Sequence, residues 1–328
     1  MTFRNLFDNL KKTCFNFYIE VTTMFLYILN YPPEQKEMCA LEMKCLFGFS
    51  HPFVICSDKD YPAGRSAFFK TKIDVICLDH DQLFFLEKVK EVTIDLFKVN
   101  YIKTNEDPFM YQERMDLVRS VARSLNGIGS IEKTATQLAV TYFENTYYLG
   151  YMHEDHQSWQ LHLQKPQSYS QSLSSKDARS LVNMATCGND VSIIDPCCGV
   201  GTVVLEALSM HHRMDACEIH PGVTWKANRN LEYFGYPKIV CNRDMHTIEK
   251  KYDVAILDIP YNLYSSITKE EQGRLIGSCF KMARRFVLIS YEDLSDLLVK
   301  NHWQIIDQCV VKKMKLERII YICERRTS

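Results

Sequence analysis

From Lys176 onward the chain alternates short apolar runs with segments of helical spacing, and its last two runs are both strand-like. Ile193-Ile194 reads as a strand end, Thr202–His211 as a helix, Met214–Cys217 as a strand and Val223–Phe234 as a helix. Ile239–Cys241 and Val254–Leu257 read as strands, then Lys269–Ala283 as a helix, Phe286–Ser290 as a strand and Asp293–Asn301 as a helix. Gln304–Val311 and Glu317–Cys323 have the composition of an antiparallel hairpin. Strands that alternate with helices pair in parallel, because the crossover helix returns the chain to the same end of the sheet. A closing hairpin at one edge is less common and narrows the choice of fold.

The most informative stretch runs Ile193-Ile194-Asp195-Pro196-Cys197-Cys198-Gly199-Val200-Gly201-Thr202. A strand ends in an acid, and a tight glycine turn opens a helix. Glycines let backbone approach a ligand closely, and a helix start presents unpaired N–H groups. A phosphate-binding turn is one reading, but the lysine of a phosphate loop and the third glycine of a dinucleotide fingerprint are both missing. An acid before the turn repels phosphate and suits a cationic ligand, of which S-adenosylmethionine is an example. Asp195, Cys197, Gly199, Gly201 and Thr202 are the candidate cofactor residues of this turn. A further acid, Glu218, ends the next strand, where a carboxylate can accept both hydroxyls of a ribose. Asp244, after the following strand, is a candidate acceptor for an adenine amino group.

Asp258-Ile259-Pro260-Tyr261 follows the apolar run Val254–Leu257, at the carboxyl end of a strand, where such sheets bind ligands. The lone pair of an aromatic amine is delocalised into its ring, so methylating it is difficult. Asp258 and the carbonyl of Ile259 can hold the two amine hydrogens and favour a pyramidal nitrogen. Tyr261 can stack on a base, an interaction worth about 1–3 kcal/mol, and Pro260 stiffens the loop. The bland alternative is a strand-terminating turn with a packing tyrosine. The order of the upstream acids favours the chemical reading.

The same motifs carry a family resemblance. Asp195-Pro196-x-Cys198-Gly199-x-Gly201-Thr202 followed by Glu206-Ala207 resembles the cofactor motif of the THUMP-associated RNA guanine methyltransferases. Ser168–Leu173, Ala178-Arg179 and Asn183-Met184-Ala185 resemble the segment that precedes it, and Asp258-x-Pro260-Tyr261 resembles the D/N-P-P-Y loop. Ile259 and Asn262 depart from the commonest form of that loop. The likeness covers about residues 165–328. It implies a class I, Rossmann-like methyltransferase with a seven-stranded, mostly parallel sheet and a terminal antiparallel hairpin. The implied cofactor is S-adenosylmethionine, held by Asp195, Gly199, Gly201 and Glu218. The implied reaction is methyl transfer to the 2-amino group of guanine, most often in tRNA, with Asp258, Pro260 and Tyr261 holding the base.

The first half is expected to hold an α+β, THUMP-like RNA-binding region over 24–155, after an extension at 1–23. Strands are expected at Phe53–Cys56, Ile73–Cys77 and Phe97–Ile102, helices at Glu34–Leu46 and Gln112–Leu125, and a hairpin over Gln137–Tyr142 and Thr146–Met152. Residues 1–164 hold 17 basic against 21 acidic side chains and residues 165–328 hold 22 against 19, so no strongly basic coat is present. Lys98, Lys103, Arg114, Arg119 and Arg123 form one candidate RNA-contact set. Lys281, Arg284, Arg285, Lys312, Lys313 and Lys315 form another. The thirteen cysteines lack paired C-x-x-C spacing, so they are expected to be reduced, with no metal site. No apolar run approaches the ~20 residues of a membrane span, and the start lacks the pattern of a secretion signal, so a cytoplasmic location is expected. A DNA adenine methyltransferase and a non-catalytic RNA-binding protein are the alternative readings. Neither oligomeric state nor the target nucleotide can be read from the residues.

Overall fold

A computed structural model describes residues 23–155, 158–168, 172–259, 267–313 and 316–325. The expected extension 1–23, apart from Thr23, and the candidate site residues Pro260 and Tyr261 lie outside the described residues. The first strand, β1, spans Phe25–Leu29, and helix α1 spans Lys36–Phe47. Then come β2 (Val54–Ser57), β3 (Phe69–Asp79), α2 (Gln82–Lys90), β4 (Thr93–Tyr101) and α3 (Tyr111–Ser124). Three further strands follow, β5 (Asn126–Gly129), β6 (Thr136–Phe143) and β7 (Thr146–His153).

The second half opens with α4 (Ser175–Thr186), β8 (Ile193–Asp195), α5 (Thr202–Ser209), β9 (Met214–Glu218) and α6 (Pro221–Tyr233). It continues through β10 (Val240–Asn242), β11 (Tyr252–Asp258), α7 (Lys269–Met282) and β12 (Ala283–Ser290). It closes with α8 (Ser295–Lys300), β13 (Trp303–Lys313) and β14 (Leu316–Arg325). The described residues form two compact units: one takes Thr23–Leu26, Cys56–Asp60 and Ile73–Met152, the other Tyr27–Ile55, Tyr61–Lys72 and the described residues from His153 on.

In the first unit, β4 lies parallel to both β5 and β6, and β6 pairs antiparallel with β7. The expected hairpin is present. Its two-residue turn, Glu144-Asn145, takes positive φ at both positions (47° and 56°), which matches the twist of the flanking strands. Helix α2 was not among the expected elements. Leu83-Phe84-Phe85-Leu86 hides the helical period, and only Phe85 and Val89, four residues apart, are fully buried, against Leu117, Val121, Leu138 and Leu149. Asp81 starts the helix by accepting the N–H groups of Leu83 and Phe84.

In the second unit, the sheet order is β10-β9-β8-β11-β12-β14-β13. The first five strands are parallel, and β14 inserts antiparallel between β12 and β13. This is the seven-stranded sheet with a terminal hairpin that the sequence implies. Helices α4, α5 and α6 pack on one another, and α1 joins them through α4. The opposite face holds a core in which Ile194, Cys217, Ala255, Leu257, Phe286 and Leu288 meet Ile276, Cys279 and Met282 of α7.

Behind α5 lies a buried ionic group. Glu206 receives Arg179 Nη1 at 2.8 Å, and its other oxygen is 2.6 Å from His162 Nδ1. Arg179 also donates to the carbonyl of Gly64. At the far edge Trp303, fully buried, packs on Phe280 and Phe286 and donates its indole N–H to the carbonyl of Ile276. Replacing Trp303 by alanine is expected to cost about 3–5 kcal/mol. A urea unfolding curve with an unchanged midpoint would contradict that account of the core.

Candidate active site

The turn between β8 and α5 is tied to the end of β9 by three bonds. Cys198 N–H donates to the carbonyl of Cys217 at 3.0 Å, and Gly199 N–H donates to Glu218 Oε2 at 3.1 Å. The Cys217 thiol donates to the carbonyl of Pro196 at 3.1 Å. The remaining oxygen of Glu218 accepts the N–H of His220 at 2.9 Å. Gly199 has φ +53°, and a Cβ there would meet nothing within 4 Å, so the space above the turn is open. Gly201 has φ +79° and lies close to α6, where a Cβ would sit 3.4 Å from that of Ala227. Both positions favour glycine on conformational grounds, and Gly199 leaves room for a ligand against the backbone.

Strand register places the acids together. Asp195 pairs with Ala216, two residues before Glu218, so Asp195 and Glu218 project from one face of the sheet. Ile194 pairs with Ala255, which puts Asp258 on that same face one step nearer the carboxyl rim. Leu257 and Cys217 point the other way, into the α7 core. Glu218 and Asp195 are buried. Burial, resisted by the N–H of Cys197 and reinforced by the charges of Asp258 and Glu218, pushes the Asp195 carboxyl up to about 8. Burial likewise pushes Asp258 up to about 6, against the opposing pull of Arg318.

Two polar atoms here are buried without a hydrogen-bond partner, Asp258 Oδ1 and Thr202 Oγ1. Buried polar groups are normally paired, so each is suited to receive a ligand. The Cys197 thiol rests 3.4 Å from the Met245 sulfur, below the turn. Asp244 is half-buried and caps the one-turn helix Met245–Thr247 by accepting the N–H of His246. Thus Asp195, Gly199, Gly201, Thr202, Glu218 and Asp258 gather at one rim, while Cys197 underlies the turn and Asp244 is engaged in a cap.

Three residues at this rim were not singled out from sequence. Asn242 donates to the carbonyls of Glu218 and Ile219, fixing the end of β9. Asn230 accepts Gln167 N–H and donates to the carbonyls of Gln167 and Val200, so it clamps the cofactor turn from α6. Arg318, 8% exposed, is the third. Its signal was a charge in line with Ile320 and Ile322 on one face of the strand. Three of the candidate RNA contacts are engaged within the fold: Arg285 bonds Glu324 and the carbonyl of Met184, Lys312 pairs with Glu317, and Arg119 pairs with Asp116.

The sheet order and the rim of carboxylates around a glycine turn are the features expected from the sequence for a methyltransferase domain. Residues 164–287 match the family described as RMKL-like, methyltransferase domain. The chain is also similar to the tRNA (guanine(10)-N2)-dimethyltransferase of Methanothermobacter thermautotrophicus, with 29% identity over 114 residues, 34% of this chain and 34% of that protein. The match thus spans about a third of the length of that relative. Among solved structures, TrmN from Thermus thermophilus matches 92% of this chain and 100% of its own at 14% identity, with a TM-score of 0.47. A predicted N6-adenine-specific DNA methylase from Listeria monocytogenes matches 93% and 96% at 10% identity, with a TM-score of 0.46. The expected cofactor, S-adenosylmethionine, accords with the methyltransferase domain and with the open turn at Gly199. Among the described residues, no helix is long and apolar enough to cross a membrane.

The raised carboxyls give a stability signature. The ordinary aspartate value is about 3.9, so between pH 4 and 8 the folded chain keeps a proton on Asp195 that the unfolded chain has released. Stability from this group therefore falls as pH rises through that window. Asp195→Asn is expected to match the parent near pH 4 and to exceed its melting temperature at pH 8. Parallel melting curves across that range would refute the assignment.

Proposed function

We propose that this chain transfers a methyl group from S-adenosylmethionine to the exocyclic 2-amino group of guanine in RNA, with tRNA as the first candidate. The observation that carries the reading is the unpartnered Oδ1 of Asp258, buried on the same sheet face as Asp195 and Glu218. The name of the archaeal relative supports the guanine amine and tRNA.

In this reading Asp195 receives the cationic amino group of the donor, and Glu218 the ribose hydroxyls. Gly199 and Gly201 give the backbone its close approach, with Cys197 beneath them. Thr202 Oγ1 is a further contact, and Asp244 is the candidate acceptor for the adenine amino group. Bound there, the cofactor supplies an electrophilic methyl group on a positively charged sulfur.

The remaining chemistry belongs to the loop after β11. Asp258 and the carbonyl of Ile259 accept the two hydrogens of the target amine. That arrangement localises the nitrogen lone pair for attack and fixes its direction. The nitrogen so held would accept the methyl group that the cofactor supplies, and the surplus amine proton would pass to Asp258. A base inside a duplex cannot reach this position, so the target must be flipped out or single-stranded. Tyr261 stacks on it and Pro260 stiffens the loop. The 24–155 region serves as the THUMP-like RNA grip and 165–328 as the catalytic domain, in the cytoplasm.

Asp258→Ala is expected to lower methyl transfer by at least about a hundredfold, with S-adenosylmethionine binding unchanged by calorimetry. The assay uses radiolabelled cofactor with total tRNA, ribosomal RNA and genomic DNA, followed by mass spectrometry of the labelled nucleosides. Label in N2-methylguanine from tRNA supports the proposal. Label in adenine from DNA, or full activity in Asp258→Ala, overturns it.

A further inference from the structure

Strand β14 carries one buried arginine on a face whose next two positions are Ile320 and Ile322. Asp258 is in register with Ile289 of β12, and Ile289 with Ile320 of β14, so the three project from one face. Two residues nearer the carboxyl rim stand Tyr291, just past β12, and Arg318. Arg318 Nε and Nη2 donate to Tyr291 Oη at 2.8 and 2.5 Å. The guanidinium carbon is 4.9 Å from the centroid of the Tyr291 ring, within reach of a cation–π attraction. The cation is therefore held at the same rim and on the same face as Asp258, two strands along the sheet from β11.

Among the charges near Asp258, Arg318 opposes its burial, while Asp195 on β8 is a like charge. Helix α4 also packs on β11, and its charged residues are engaged elsewhere. Lys176 lies over the Phe68 ring, Asp177 accepts from Gln35, and Arg179 pairs with Glu206. Helix α7 covers the opposite face of the sheet.

We propose that Arg318 is a positioning residue for methyl transfer: steadied by Tyr291, it keeps Asp258 an ionised acceptor when the target amine arrives. This role rests on the function proposed above. A protonated Asp258 would offer a donor where the amine needs an acceptor, so losing the neighbouring cation should cost turnover chiefly on the acid side. Tyr291 is well suited to hold the guanidinium, because a phenol fixes it without neutralising it.

The test separates the electrostatic claim from the activity. Carboxyl-carbon NMR, with the Asp258 signal assigned through Asp258→Asn, follows its titration in the parent, Arg318→Lys and Arg318→Met. Arg318→Met is expected to move the midpoint up by about one pH unit, while Arg318→Lys stays near the parent. Turnover of Arg318→Met at pH 6 should fall roughly fivefold and recover toward pH 8. Its KM for RNA and its calorimetric affinity for S-adenosylmethionine should not change. An unmoved midpoint in Arg318→Met overturns the proposal, as does a turnover loss equal at all pH values. Arg318→Gln replaces Arg318→Met if the latter fails to bind the cofactor, and the same outcomes apply. Absence of RNA methylation by the parent overturns the function above and Arg318's part in it, whereas the NMR midpoint reports on the Arg318–Asp258 pairing alone.

Discussion

The hydrogen bond from Gly199 N–H to Glu218 holds the rest of the site in place. It joins the first turn of the sheet to the end of the neighbouring strand, so Asp195 and Glu218 share one frame. A carboxylate that accepts backbone N–H groups at both oxygens has little rotational freedom left. Glu218 is therefore oriented before any ligand arrives, and binding need not supply the entropy of ordering it. Asn242 and Asn230 extend the same logic, since each spends its amide on backbone carbonyls around the turn.

Against this rigid frame stands an electrostatic tension. Asp195, Glu218 and Asp258 share one face, and two of them are pushed toward the neutral form by burial. Such an assembly is poorly satisfied when it contains only acids, and becomes well satisfied when a cation enters. The Glu206 group beneath α5 shows the contrasting case, in which a buried acid is permanently matched by Arg179 and His162.

Much of this was legible in the residues. Short apolar runs alternating with helical segments, and the glycine turn, located β8, β9 and β11, and with them Asp195, Glu218 and Asp258 at strand ends. The closing hairpin was readable from two consecutive apolar runs. Other features depend on contacts between distant residues and left weak local traces. Helix α2 was obscured by four consecutive apolar residues, of which Leu83 and Phe84 face solvent. Arg285 looked like a surface cation because its partners, Glu324 and Met184, are remote in sequence. Arg318 was passed over for the same reason, since Tyr291 and Asp258 lie far away along the chain.

The placement of β14 between β12 and β13 bears on how the domain is assembled during synthesis. Strand β13 leaves the ribosome first, yet its seat is beside a strand that does not yet exist. Until the residues through Arg325 have emerged, the apolar edge of β12, Phe286 to Ile289, has no neighbour on that side. An open edge of this kind invites pairing with the wrong strand. Premature docking of β13 on β12 is thus the mispairing that this strand order exposes the sheet to.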